Sequence, residues 1–243
     1  MITILGPTAC GKTTFATHLA KETGGEIISA DSRQVYRGMD IGTGKDISEY
    51  TIDGQSIPYH LIDIAEAGTR YNVYRFQTDF FRAYDDIVSR GATPILCGGT
   101  GLYIESVLRS YDFDGRELPE IENTVIGLRI DRELRREKIT ARLKARLEEG
   151  MIDEVRRLLS EGVKAEALIR YGLEYKYLTL HILGELSYEE MFTQLEIAIH
   201  QFAKRQMTWF RGMEKRGIHI NWLDCQLPLQ KRIKMALELT NKR

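Results

Sequence analysis

The stretch Gly6-Pro7-Thr8-Ala9-Cys10-Gly11-Lys12-Thr13 constrains this chain more than any other. Two glycines four residues apart, followed by Lys-Thr, have the spacing of a phosphate-binding loop. Ile2 to Leu5 ahead of it reads as a short buried strand, and Thr14 to Glu22 behind it reads as a helix. A strand, a glycine-rich turn and a helix gather backbone N–H groups and the positive end of a helix around one anion. Lys12 adds charge for phosphate oxygens, and the Thr13 hydroxyl is placed for Mg²⁺. The pattern specifies a diphosphate or a triphosphate. It does not specify ATP.

The rest of the chain is ordinary in bulk and uneven in charge. No apolar run reaches membrane-spanning length. The loop begins six residues from Met1, which leaves no room for a cleaved leader, so the expected location is cytoplasmic. Cys10, Cys97 and Cys225 are far apart and match no metal-ligand spacing. Residues 1–126 hold 11 Lys+Arg against 18 Asp+Glu, whereas residues 127–243 hold 23 against 17. The basic second half points to an anionic partner.

Taken in order, several segments invite a ligand. Glu26 to Ala30 reads as a second strand ending at Asp31-Ser32-Arg33-Gln34, on the ligand-binding edge of an α/β sheet. Asp31 fits that edge, and it fits a turn or N-cap aspartate equally well. Val35 to Lys45 is a glycine-rich loop, in which Lys45 either reaches a phosphate or faces water. Ile57 to Ile64 reads as a strand whose Asp63 matches the magnesium-associated aspartate of nucleotide hydrolases. Tyr71 to Arg90 has helical periodicity, and Thr93 to Cys97 is a buried strand. The latter feeds Gly98-Gly99-Thr100-Gly101-Leu102-Tyr103, whose glycines imply close backbone approach to a ligand. Residues 109–126 read as irregular and acidic, and Leu128 to about Ser160 as helical. Within that helical stretch, 129–146 is crowded with Arg and Lys, including Arg132, Arg135, Lys138, Arg142 and Arg146; a solvated, charge-laced face explains it best. Ser187 and Glu190 have capping-box spacing for a further helix. That helix carries Lys204-Arg205-Gln206-Met207-Thr208-Trp209-Phe210-Arg211, where cations and aromatics interleave as on surfaces that handle phosphates and bases.

The loop at 6–13, Asp31-Ser32-Arg33-Gln34-Val35-Tyr36, His60-Leu61-Ile62-Asp63, Gly98-Gly99-Thr100-Gly101-Leu102-Tyr103 and Lys204 to Arg211 occur in this order. Together they resemble the tRNA dimethylallyltransferase family, over roughly residues 1–108 and 126–224. The resemblance implies that the loop from Gly6 to Thr13, with Arg205, holds dimethylallyl diphosphate. It implies Asp31, Thr100 and Lys12 as catalytic groups, with Asp31 the base for the adenine N6 amine. Thr8, Ser32, Arg33, Gln34, Arg170, Gln206 and Arg211, beside Asp31, Thr100 and Arg205, are the implied contacts to tRNA and its adenine. Mg²⁺ on Thr13 is the implied cofactor.

Two departures from the family's pattern stand out. Family members usually carry a helical insert after Gly-Gly-Thr-Gly-Leu-Tyr, and only Ile104 to Asn123 occupies that place here. The family's Arg-x-x-Gly-Tyr element is shifted within Arg170 to Lys176. The acceptor is therefore tRNA or, alternatively, a free adenine nucleotide; a nucleotide-binding kinase or ATPase using Asp63 is a third reading. The expected architecture is an α/β three-layer P-loop NTPase-like fold with a mainly parallel sheet. It divides into a core at 1–108, a shortened connection at 109–126 and a mainly helical part at 127–243 that packs back on the core. The expected protein is monomeric.

Overall fold

The computed structural model describes residues 1–113, 115 and 119–241. Its centre is a six-stranded sheet in the order β5-β2-β6-β1-β7-β8, with every neighbouring pair parallel. The strands are β1 (Ile2–Leu5), β2 (Gly25–Ser29), β5 (Tyr59–His60), β6 (Thr93–Gly98), β7 (Thr124–Arg129) and β8 (Asn221–Asp224). A separate antiparallel pair, β3 (Thr51–Ile52) and β4 (Gln55–Ser56), forms a small hairpin. Parallel pairing requires crossovers, and the helices that make them cover both faces of the sheet.

Helix α1 (Lys12–Thr23) and the last helix, α9 (Leu229–Thr240), cover one face through Phe15, Leu19, Ile233 and Ala236. Helices α2 (Val73–Ser89) and α3 (Gly101–Leu108) cover the other, joined by Phe210 and Met213 of the long helix α8 (Tyr188–Lys215). The result is the expected three-layer α/β fold. A third apolar cluster lies beside the sheet. There α4 (Arg132–Glu148), α5 (Met151–Ser160), α6 (Ala165–Arg170), α7 (Leu173–Ile182) and α8 bury Val35, Tyr36 and Met39 of the loop after β2. That cluster fixes the helical part against the ligand edge of the sheet, and Ser187 with Glu190 closes the expected capping box on α8.

Three expectations change. Ile57–Ile64 contributes only β5, because Leu61 and Asp63 adopt positive φ, which no strand tolerates. Residues 124–129 form β7 rather than irregular chain and helix start, and the helix begins at Arg132, capped by Asp131. The strand is inside the sheet, where an apolar run shows no alternation. Of the irregular connection, residues 114 and 116–118 lie outside the described residues.

Candidate functional site

A cavity of about 850 Å³ opens at the C-terminal edge of β1, β2 and β6, where α/β sheets bind ligands. Its floor is the loop between β1 and α1. Gly11 caps α1 in a left-handed conformation and supplies no side-chain acceptor, so the first N–H groups of the helix are free for an anion. Thr8, Ala9, Gly11, Lys12 and Thr13 line the cavity. Lys12 Nζ donates to the Pro7 carbonyl at 2.8 Å, which holds the ammonium over the loop. Gly6, Pro7 and Cys10 form the underside of the loop and do not line the cavity. The buried Cys10 thiol sits beside Cys225, whose Sγ donates to the Cys10 carbonyl at 3.2 Å. Burial opposes ionisation of Cys10, but the Cys225 thiol, Lys12 and Arg142 prevail and bring its pKa down to about 6.

One wall is built from two strand ends pressed together. A methyl group on Gly98 would collide with the Ala30 carbonyl, so glycine is required where β6 ends beside β2. Thr100 then accepts the Ser32 N–H through Oγ1 at 3.0 Å. Asp31 accepts the Arg33 N–H through Oδ1 at 2.8 Å, and its second oxygen has no partner among the described residues. Both sequence readings of Asp31 therefore hold: it is a turn aspartate, and it faces the cavity. Ser32, Arg33, Gln34 and Thr100 line the same space. Gln34 is also structural, accepting from Ser29 Oγ at 3.0 Å and donating to the Gly44 carbonyl at 3.1 Å.

The opposite wall comes from the helical part. Gln206 is buried and bridges the two loops: its Oε1 accepts the Thr8 N–H at 2.8 Å and its Nε2 donates to the Gly99 carbonyl at 3.0 Å. Arg205 and Trp209 line the mouth beside it. The Trp209 ring lies where a side chain on Gly101 would go, which explains that glycine. Arg211 is exposed on α8 and Arg170 is exposed at the end of α6, both outside the cavity.

The sequence missed much of this wall. Lys138, Arg142 and Arg146 of α4 line the cavity; Lys138 stays exposed, whereas Arg142 and Arg146 turn away from bulk solvent. Arg142 donates to Thr8 Oγ1. Burial and the neighbouring Arg146 hold its guanidinium below the usual arginine range. Arg146 is buried, donating to the Ile41 carbonyl at 3.1 Å and to Asp46 Oδ2 at 3.2 Å. Two more carboxylates line the cavity, and both are raised, chiefly by burial: Glu174 on α7, and Glu49, which Asp46 pushes further. The backbone wall of Gly42, Thr43 and Gly44 is held by the buried Glu154 of α5. Its Oε2 accepts the N–H groups of Asp40 and Ile41 at 2.8 Å each. Its Oε1 accepts the Gly42 N–H at 3.0 Å and the Tyr175 hydroxyl at 2.6 Å.

Asp63 and Lys45 leave the list of candidate ligands. Lys45 is buried and donates to Asp63, to Asp40 and to the Tyr36 carbonyl. The pair ties β5 to the 36–45 loop, and neither residue lines the cavity. The magnesium-bound Asp63 of the ATPase reading is therefore not where that reading needs it. Among the described residues, no three His, Cys, Asp or Glu side chains are grouped to hold a metal ion.

Comparison with known proteins gives a consistent result. A family model described as IPP transferase matches residues 34–124 and 113–213, and one described as isopentenyl transferase matches residues 1–55. A protein named tRNA dimethylallyltransferase 1 from Parabacteroides distasonis is 51% identical over 299 aligned positions, covering 99% of this chain and 97% of its own. Another, named tRNA dimethylallyltransferase 2, from Bacteroides fragilis, is 51% identical over 291 positions, covering 96% and 95%. A solved tRNA isopentenylpyrophosphate transferase from Staphylococcus epidermidis superposes with a TM-score of 0.87 at 29% identity, covering 100% of this chain and 99% of that one. An alignment of 299 positions against a chain of 243 residues leaves at least 56 positions of the Parabacteroides protein without a counterpart. The two IPP transferase segments overlap at 113–124, in the connection that is short here.

Proposed function

Because this chain belongs to the tRNA dimethylallyltransferase family, we propose that its cavity joins a dimethylallyl diphosphate to the N6 amine of an adenosine in tRNA. One observation carries the reading: the diphosphate-binding loop, Asp31 and Thr100 share a single cavity with Arg142, Arg205 and Gln206. The C1–O bond of the allylic diphosphate breaks, the N6–C1 bond forms, the amine proton passes to Asp31, and diphosphate leaves. Loop N–H groups, Lys12 and Arg142 compensate the charge that builds on the leaving group. Asp31 meets the positive charge that builds on nitrogen, and Thr100 holds the 31–32 turn against the loop at 98–101. Gln206 fixes the spacing between donor loop and acceptor wall. The target base enters the cavity unstacked.

The donor set also supports the assignment of Mg²⁺. Thr13 offers one hydroxyl at the cavity floor, and no three-ligand cluster exists among the described residues. A hydroxyl with diphosphate oxygens and water suits Mg²⁺, which is seldom caged by protein alone. When bound, the ion neutralises the leaving diphosphate.

The short connection favours a second acceptor, a free adenine nucleotide, which needs less protein to grip. Radiolabelled dimethylallyl diphosphate offered with unmodified tRNA and with AMP separates the two. Label in tRNA supports the leading reading, and label in AMP alone replaces it. No helix among the described residues is long and apolar enough to cross a membrane, and we place the protein with tRNA in the cytoplasm.

A further inference from the structure

Helix α4 carries Arg132, Arg135, Lys138, Arg142 and Arg146 at steps of three and four residues, so the five cations share one side. The inner end of this column serves the cavity, through Arg146, Arg142 and Lys138. The outer end does not. Arg132 and Arg135 lie beyond the cavity lining; among the described residues Arg132 has one ion pair, with its exposed neighbour Glu133 at 4.0 Å, Arg135 has none, and the N-cap carboxylate of Asp131 lies near both. Burial and the charges of Arg132 and Arg211 depress the Arg135 guanidinium against the opposing pull of Asp131, so cations of α4 and α8 crowd one another. Helix α8 packs on α4 and brings Arg205 to the cavity mouth and Arg211 beside Arg135. Like charges held together with only Asp131 and Glu133 to offset them in part disfavour the free protein and await an anion.

The column is longer than a mononucleotide needs. From Arg142 to Arg132 the helix rises about 15 Å, and nucleic-acid phosphates recur about every 3.4 Å along a strand. A nucleotide in the cavity leaves the outer cations unmatched, whereas a continuing strand does not. We propose that Arg132 and Arg135 of α4, with Arg211 of α8, form a track for the RNA backbone that continues from the cavity. The track supplies grip in a chain that lacks at least 56 positions present in the Parabacteroides relative. It rests on the RNA reading of the acceptor and assigns that reading a surface.

The test is binding of a fluorescein-labelled, unmodified anticodon stem-loop RNA across a salt series. It compares wild type, Arg132→Ser/Arg135→Ser, and a control pair off the track, Arg70→Ser/Arg82→Ser. The track pair should lose about tenfold or more in affinity and flatten the log–log salt slope by about 1.4–1.8, the share of two phosphates. The control pair should keep the wild-type slope, and inorganic diphosphate should bind all three proteins equally, which verifies the fold. An unchanged track pair, or equal losses in both pairs, overturns the proposal. Label transfer is scored separately. If wild type modifies RNA and the track pair binds normally, the track alone falls. If wild type modifies no RNA but the slope result holds, the track stands and the activity reading falls.

Discussion

Glu154→Gln tests how the helical part shapes the cavity. The substitution keeps the shape of the side chain and removes one acceptor. In the native protein four donors, three backbone N–H groups and a tyrosine hydroxyl, converge on a buried carboxylate. An amide has one accepting oxygen; turned to the Asp40 and Ile41 N–H groups, it leaves the NH₂ group facing the Gly42 N–H, while the Tyr175 hydroxyl reverses to accept. Hydrogen bonds to a charged group contribute about 1.5–3 kcal/mol each. Losing the one from Gly42 costs about 1.5–3 kcal/mol, which for a domain of this size lowers the Tm by roughly 3–12 °C. The loop released is the one that carries Gly42, Thr43 and Gly44 in the cavity wall and anchors Gln34 through the Gly44 carbonyl. The acceptor KM should therefore rise while diphosphate affinity stays near wild type. Urea denaturation and steady-state kinetics on purified protein measure both. A variant within about 1 kcal/mol of wild type, with unchanged acceptor KM, would refute the claim that Glu154 builds this wall.

Asp31→Asn should lower the rate of transfer by roughly 10²–10⁴-fold, with diphosphate binding unchanged in calorimetry. Arg142→Ala should weaken inorganic diphosphate binding by roughly 10–100-fold, the equivalent of one charge-assisted contact; calorimetry showing full affinity would remove Arg142 from the anion site. Mg²⁺ titrated alone should give no measurable heat, yet it should tighten diphosphate binding in wild type and not in Thr13→Ala. Glu174 has a raised carboxyl pKa in the folded state, so the folded protein holds that proton more firmly than the unfolded chain. The associated stability is present below the unfolded value of about 4.3 and is lost as pH rises through the raised folded value. Glu174→Gln should therefore gain stability relative to wild type on going from about pH 4 to pH 7, read as denaturation midpoints; a pH-independent difference would contradict the assignment.

The parts of the site written in short contiguous motifs were legible in the sequence. The 6–13 loop, Asp31 to Gln34 and Thr100 each follow a strand of the parallel sheet, so topology alone brings them to one edge. The cations of α4 were visible but their direction was not. Arg142 and Arg146 lie next to the buried stripe of Ile139 and Leu143, and only the packing of α4 over the loop decides that they point inward. Glu154 and Glu174 gave no signal, because their partners lie far away in sequence or across the cavity. Asp63 misled for a related reason. Its apolar run has strand composition, but the positive φ values at Leu61 and Asp63 turn the carboxylate to Lys45. The strand at 124–129 was concealed by its own burial, since a run apolar on both faces has no period to read.

The most direct test of the central claim is a filter assay with radiolabelled dimethylallyl diphosphate, Mg²⁺ and an unmodified tRNA anticodon stem-loop, run for wild type and Asp31→Asn. The account predicts label fixed in the RNA by wild type and a signal at least about a hundredfold lower in Asp31→Asn. No label with wild type, or equal label with both proteins, would contradict it.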